Sequence, residues 1–239
     1  MKLIFATGNA GKLREAREIL GPSFEVLSPA DAGLDAEVEE TGSTFQENSL
    51  IKAKYLYDQC GLPCFADDSG LEVDALGGAP GIYSARYASD HDFSKNIDRV
   101  LEELSALEAS GTEPPKTHAT LGTVRGGTME RSGMVGSSEA RRFLGVAVPE
   151  APTFPGAARF RCVATLILED GRPRFFEGVC EGRIARVRSG GGGFGYDPVF
   201  VPDAFPDTTM AGLPEDVKNG ISHRGAALRK MARWLVGNA

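Results

Sequence analysis

The first twenty residues read strand, turn, helix, and that order constrains the fold more than any other feature of the chain. Lys2 to Thr7 is a short apolar run of strand character, Gly8-Asn9-Ala10-Gly11 is a turn, and Lys12 to Leu20 carries Leu13, Ala16 and Leu20 on one helical face. A chain that begins this way needs a sheet for the strand and a second layer for the helix. Thr44-Phe45-Gln46-Glu47 is a capping box, starting a helix that runs to about Gln59. Ser94 to Leu107 places Ile97, Val100, Leu101 and Leu104 on one face of a third helix. Between these helices, Pro63 to Ala66 reads as a short buried strand ending in Asp67-Asp68-Ser69-Gly70.

Periodicity is lost from about Ser105 to Ala158, a Gly-, Pro- and Ser-rich stretch expected to be a surface excursion with a short hairpin around Leu121 to Met129. A long strand starts at Arg159 and pairs antiparallel with Phe175 to Glu181 across Gly171-Arg172-Pro173. The glycine run Gly190 to Gly193, a strand Val199 to Val201 and a last helix from near Ser222 follow. Helices and strands alternate first and strands cluster later. The expectation is one mixed α/β domain over residues 1–239 with a central, strongly twisted sheet.

Composition narrows the function. No apolar run approaches the ~18–20 residues that span a bilayer, and Leu3 to Ala6 is too brief for a signal-peptide core. The four cysteines form no C-x-x-C pair and the three histidines are scattered, which argues against structural zinc and for reduced thiols in the cytoplasm. The net charge of −7, from 26 basic and 33 acidic side chains without a basic stripe, disfavours a nucleic-acid polymer as partner. Isolated cations, Lys12, Lys52, Lys218 and Arg224, suit a small phosphorylated ligand instead.

Six segments have the composition of a site. Thr7-Gly8-Asn9-Ala10-Gly11-Lys12 joins a strand to a helix, where backbone N–H groups and an ammonium make an anion site. It is no Walker A loop, because only Asn9 and Ala10 separate Gly8 from Gly11-Lys12. The competing reading is a plain turn with a surface lysine. Gly190 to Gly195 satisfies G-x-G-x-x-G but leads into Tyr196-Asp197-Pro198 rather than a helix, so a mobile ligand-approaching loop fits better than a dinucleotide fold. Asp67-Asp68 is the most chemical-looking pair. Alternation sends the two to opposite faces, one entering a cleft and the other anchoring the turn. Such a carboxylate ligates Mg²⁺ or activates a water. Glu39, Glu40 and Glu47 are candidates for a second carboxylate. Glu47 is occupied by the capping box, which favours Glu40. Lys52 lies four residues after Asn48 on one helix face. Finally, Ser222-His223-Arg224 opens the last helix with cations, against the macrodipole unless an anion or aromatic ring is near.

Together these strings resemble the inosine triphosphate pyrophosphatase family: Thr7 to Lys12, Glu40-Thr41-Gly42, Thr44 to Lys54, Ala66 to Tyr87, Gly193 to Pro198 and Ile221 to Gly225, in the family's order. The resemblance implies a two-lobed α/β fold, a homodimer, and a nucleotide cleft between the lobes. It also implies Mg²⁺-dependent cleavage of inosine, xanthosine and deoxyinosine triphosphates to monophosphate and pyrophosphate. Carried over by position, Asp68 is base and metal ligand and Glu40 the second ligand. Thr7, Gly8, Asn9, Ala10, Gly11, Lys12, Lys52 and Ser69 contact the triphosphate. Phe194, Gly195, Tyr196, Asp197, Lys218, His223 and Arg224 contact base and sugar. Two departures stand out. The family has a shorter link after the third helix, which makes residues 106–158 an expected insertion whose His118, Arg141 and Arg142 have no assigned role. Gly212 also replaces an acid. The rivals are a pyrophosphatase for other modified nucleotides, a non-catalytic nucleotide-binding regulator and a structural scaffold.

Overall fold

The protein is described by a computed structural model covering residues 1–35, 37–111 and 151–238. The elements in chain order are β1 (Lys2–Phe5), α1 (Ala10–Leu20), β2 (Glu25–Leu27), α2 (Phe45–Cys60), β3 (Cys64–Val73), α3 (Phe93–Ser110), β4 (Ala158–Ile167), β5 (Pro173–Ile184), β6 (Phe200–Pro202), α4 (Glu215–Ile221) and α5 (His223–Gly237). The strands form one mixed sheet ordered β2-β1-β3-β4-β5-β6. β1 runs parallel to both β2 and β3, connections that α1 and α2 make possible as crossovers. From β3 to β6 every pairing is antiparallel.

Three apolar clusters divide this sheet into two lobes. In the first lobe, Leu3, Phe5, Phe65 and Leu166 pack against Ala16 and Leu20 of α1 and Leu228 and Met231 of α5. On the opposite face Ile4, Ala66 and Ile167 meet Ala53 and Leu56 of α2. In the second lobe, Leu71, Val73, Phe160, Ile184 and Phe200 meet Ile97, Val100 and Leu104 of α3. β3 belongs to both lobes: Phe65 and Ala66 lie in the first, Leu71 and Val73 in the second. The four residues between, Asp67 to Gly70, belong to neither core and form the floor of the cleft where the lobes meet.

The mixed α/β architecture agrees with the expectation, and several boundaries move. The expected short strand ending at Ala66 is a ten-residue strand that passes straight through Asp67-Asp68-Ser69-Gly70, so neither Asp anchors a turn. The cause is tertiary: β4 pairs with β3 over its whole length, from Cys64↔Ile167 to Val73↔Ala158. α1 begins at Ala10 rather than Lys12, because Asn9 caps it by accepting from the Lys12 N–H at 3.0 Å. α3 continues to Ser110, beyond the expected loss of periodicity. At the far side of that stretch Phe154 is buried in the second core and Thr153 bridges Ala185. The expected hairpin at 121–129 and the residues His118, Arg141 and Arg142 lie outside the described residues. Gly212 ends a one-turn 3₁₀ helix, Met210–Gly212, and does not line the cleft.

Candidate active site

The cleft between the lobes has a volume of about 910 Å³. Of the residues singled out in the sequence, Thr7, Gly8, Asn9, Lys12, Glu40, Lys52, Asp68, Ser69, Phe194, Gly195, Tyr196, Asp197, Lys218, His223 and Arg224 line it. Ala10 and Gly11, the first two residues of α1, are not part of that lining, although a Cβ on Gly11 would touch the Phe194 ring at 3.5 Å.

β3 sends its two carboxylates to different partners, as strand alternation requires. Asp67 accepts from Lys12 Nζ at 3.0 Å and from Arg224 Nε at 3.0 Å. Burial alone would raise its pKa, but Lys12, Arg224 and Lys52 overcome that and hold the carboxyl well below the usual range. Asp68 faces α2, accepting from Asn48 Nδ2 at 3.2 Å and Lys52 Nζ at 3.1 Å. Here burial prevails and, helped by the nearby Glu40 charge, raises the pKa despite Lys52. Lys52 Nζ also donates to Glu40 Oε1 at 2.7 Å, so one ammonium sits between the two carboxylates.

Asn48 explains how Glu40 comes to that position. It is fully buried, and its Oδ1 accepts from the Gly42 N–H at 2.8 Å while its amide reaches Asp68. A Cβ on Gly42 would lie 2.7 Å from that Oδ1, so glycine allows the Glu40-Thr41-Gly42 segment to press against the start of α2. Glu47 is tied to Ser43 by two 2.7 Å hydrogen bonds, consistent with its capping role.

At the other end, a second charge network holds the glycine loop. Arg224 is 1% exposed, and its guanidinium donates to Asp67, to Ser69 Oγ at 3.2 Å and to Glu15. Lys218 Nζ donates to Glu15 at 2.9 Å and to Asp197 at 2.8 Å. Asp197 Oδ2 in turn accepts from the Phe194 N–H at 2.8 Å. A Cβ on Gly193, whose φ is +74°, would lie 2.1 Å from that oxygen. The Phe194 ring therefore has a fixed seat, with Lys218 Nζ 4.8 Å and the Arg224 guanidinium carbon 5.5 Å from its centroid. Tyr196 has a structural role as well: its hydroxyl donates to Ser84 O at 2.9 Å.

His223 and Arg224 resolve the helix-start mismatch by the two routes expected of it. Arg224 meets anions, and the His223 ring stacks on Phe160 at 4.8 Å and 19°. Burial, with help from Arg224 and Lys218, pushes the imidazole pKa well below 6.5 and leaves the ring neutral. α5 is positioned by close packing on β5, where a Cβ on Gly178 would lie 2.0 Å from His223 O.

Glu15 and Asn48 were missing from the sequence-derived site. Glu15 had one signal: a carboxylate three residues after Lys12, beside the apolar Ala16, on the inward arc of α1.

A family profile, the Ham1 family, matches residues 3–140 and 146–234. The chain belongs to the Ham1 family. It is 36% identical to a dITP/XTP pyrophosphatase of Christiangramia forsetii over 98% of this chain and 99% of the relative. It is 38% identical to the dITP/XTP pyrophosphatase of Bacillus subtilis over 97% and 96%. Among solved structures, the Staphylococcus aureus Ham1 protein superposes with a TM-score of 0.72 at 31% identity, covering all of both chains.

Proposed function

We propose that this Ham1-family chain hydrolyses dITP, XTP and ITP to the nucleoside monophosphate and pyrophosphate, with Asp68 as the general base. The observation that carries this reading is the polarity of the cleft. A carboxylate pair with raised Asp68 basicity stands at one end, and an aromatic ring ringed by buried donors stands at the other. Full-length relatives named for this activity support it.

The donor inventory assigns the ends. An ammonium has three protons. Lys218 uses two of them on Glu15 and Asp197, leaving one for a 6-oxo group on a base stacked against Phe194. Adenine presents an amino donor there, which leaves protein donors unpaired, and sites of this kind discriminate by ~10⁴-fold or more. The neutral His223 ring adds no repelling charge. At the phosphate end Thr7, Gly8 and Asn9, which lead into the N-terminus of α1, line the cleft where anionic oxygens would sit.

Among the described residues seven carboxylates (Glu15, Glu37, Glu39, Glu40, Asp67, Asp68, Asp197) line the cleft against five Lys and Arg side chains, a balance to which a polyphosphate would bring further negative charge. Among the described residues no three His, Cys, Asp or Glu converge as a metal cage. Glu40 and Asp68 alone suit Mg²⁺, which takes one or two protein carboxylates and completes its shell with waters and phosphate oxygens. When bound, the ion would neutralise charge on the phosphates. Asp68 then takes the proton of the attacking water, Asn48 fixes the carboxylate's orientation, and Lys12 and Lys52 stabilise charge as pyrophosphate leaves.

The residues named come from one chain, so the homodimer implied by the family resemblance would not be needed to complete the site. No helix among the described residues is long and apolar enough to cross a membrane. Pyrophosphate release from dITP, XTP, ATP, GTP and modified pyrimidine triphosphates, with Mg²⁺ and with EDTA, tests the reading. Mg²⁺-dependent turnover of dITP and XTP is expected. Turnover confined to other triphosphates would reassign the substrate, and tight binding without turnover would favour a regulator.

A further inference from the structure

Among the described residues five Lys and Arg side chains line the cleft, and four of them are already bonded to carboxylates at 3.1 Å or closer. Arg86 differs. Its Nη1 stands 3.9 Å from Glu40 Oε2, a distance for an ion pair without a hydrogen bond, and its guanidinium carbon lies 5.4 Å from the centroid of Tyr83, a ring that is 55% exposed. The base of the side chain, by contrast, is rigid. The Arg86 N–H donates to Tyr83 O at 2.8 Å. Two residues earlier, buried Ser84 locks the turn to β3, its Oγ accepting from the Leu71 N–H at 2.9 Å and donating to Gly81 O at 2.6 Å. A planar five-donor fork on a fixed pivot is left loosely held beside the carboxylate pair at the phosphate end.

We infer that Arg86 is a polyphosphate clamp: its guanidinium leaves Glu40 and closes on the pyrophosphate part of the substrate. The inference rests on the proposed reading of the cleft as a triphosphate site. The chemistry favours this arm over the other cations. Lys12, Lys52, Lys218 and Arg224 are fixed in place by short, shielded ion pairs and can serve a ligand only from where they stand, whereas Arg86 can move at the cost of an exposed contact of the kind that holds little. A guanidinium also matches two phosphate oxygens at once, which a lysine in the same place does not. Glu40, once drawn toward a cation, would release Arg86 at the moment the phosphates arrive.

Calorimetric titration of inorganic pyrophosphate and, separately, of inosine monophosphate into the Mg²⁺-loaded protein tests this without requiring turnover. For Arg86→Gln the account expects pyrophosphate to bind about ten- to hundredfold more weakly, the range for losing a charge-assisted hydrogen bond. Monophosphate binding should stay within about twofold and the melting temperature of the free protein should not move. Arg86→Lys should recover part of the loss. In steady state with dITP the change should fall on KM more than on kcat. Unchanged pyrophosphate binding, or a loss for the monophosphate equal to that for pyrophosphate, would overturn the clamp. Should Arg86→Gln fold poorly, Arg86→Lys decides alone, since a purely structural role would not separate the two ligands. If the wild-type protein hydrolyses dITP while both variants bind pyrophosphate normally, the clamp fails and the function stands. If pyrophosphate binding depends on Arg86 but no triphosphate is cleaved, the reverse holds.

Discussion

The two faces of β3 give neighbouring carboxylates opposite surroundings. On one face Asp67 is closed in by Lys12, Arg224 and, through Arg224, Glu15, and its pKa is held down. On the other, Asp68 is held by one amide and one shared ammonium, and burial raises its pKa. The same residue type, one position apart on the strand, is locked in ion pairs on one face and, in the proposed reading, serves chemistry on the other. The Asp67 network joins α1, β3 and α5 and fixes the wall of the cleft. On the proposed reading, the Asp68 carboxylate exchanges its partners for substrate. A buried, fully paired charge is costly to disturb.

The contrast can be broken first at Asp67. Asp67→Ala strands Lys12 and Arg224 with a single buried acid, Glu15, between Arg224 and Lys218. Removing one partner of a buried pair costs about 3–5 kcal/mol, so urea unfolding should show a loss of that size, with no comparable loss for Asp68→Ala. Equal losses would erase the distinction between the faces.

A smaller effect is expected at the loop that the network holds. Gly193→Ala places a methyl against Asp197 at positive φ, a strain of about 1–3 kcal/mol. The expected result is a raised KM for dITP with little change in pyrophosphate affinity, because the loop seats Phe194 rather than the phosphates. A loss of pyrophosphate binding of the same size would show that the two ends of the cleft are not independent.

The smallest effect concerns His223, which faces Arg224, Lys218, Lys12 and Asp67 and stacks on Phe160. Its folded pKa is depressed below the ~6.5 of an unfolded chain. The unfolded state therefore takes the proton first, and this group's contribution is fully present above pH 6.5 and lost as pH falls through the window below it. Relative to His223→Gln, the wild-type protein should lose up to about 1.4 kcal/mol per pH unit there. Parallel stability curves for the two proteins between pH 7 and 5 would contradict a neutral, buried imidazole.

What the sequence made legible was what local chemistry determines. Thr44 caps α2 and accepts from the Glu47 N–H, Ser222 caps α5, and the β4–β5 hairpin turns where Gly171-Arg172-Pro173 stands. Asp68 and Glu40 were singled out as free carboxylates, Lys52 and the roles of residues 194–197 came with the family resemblance, and the fold brings them to one cleft. What stayed hidden depends on partners distant in the chain. The polarity of Asp67 to Gly70 mimics a turn because these residues face a cleft, and only β4 reveals them as strand. Glu15 looks like a solvated helix residue until Lys218 and Arg224, more than 200 positions away, dock on it. β2, at three residues, is too short to carry a pattern of its own.

The most direct test is Asp68→Asn assayed with dITP and Mg²⁺, with its melting temperature measured beside that of the wild type. The account predicts a native-like melting temperature and turnover reduced at least ~10²–10⁴-fold, as for loss of a general base. Near-wild-type turnover in a folded Asp68→Asn protein would contradict it.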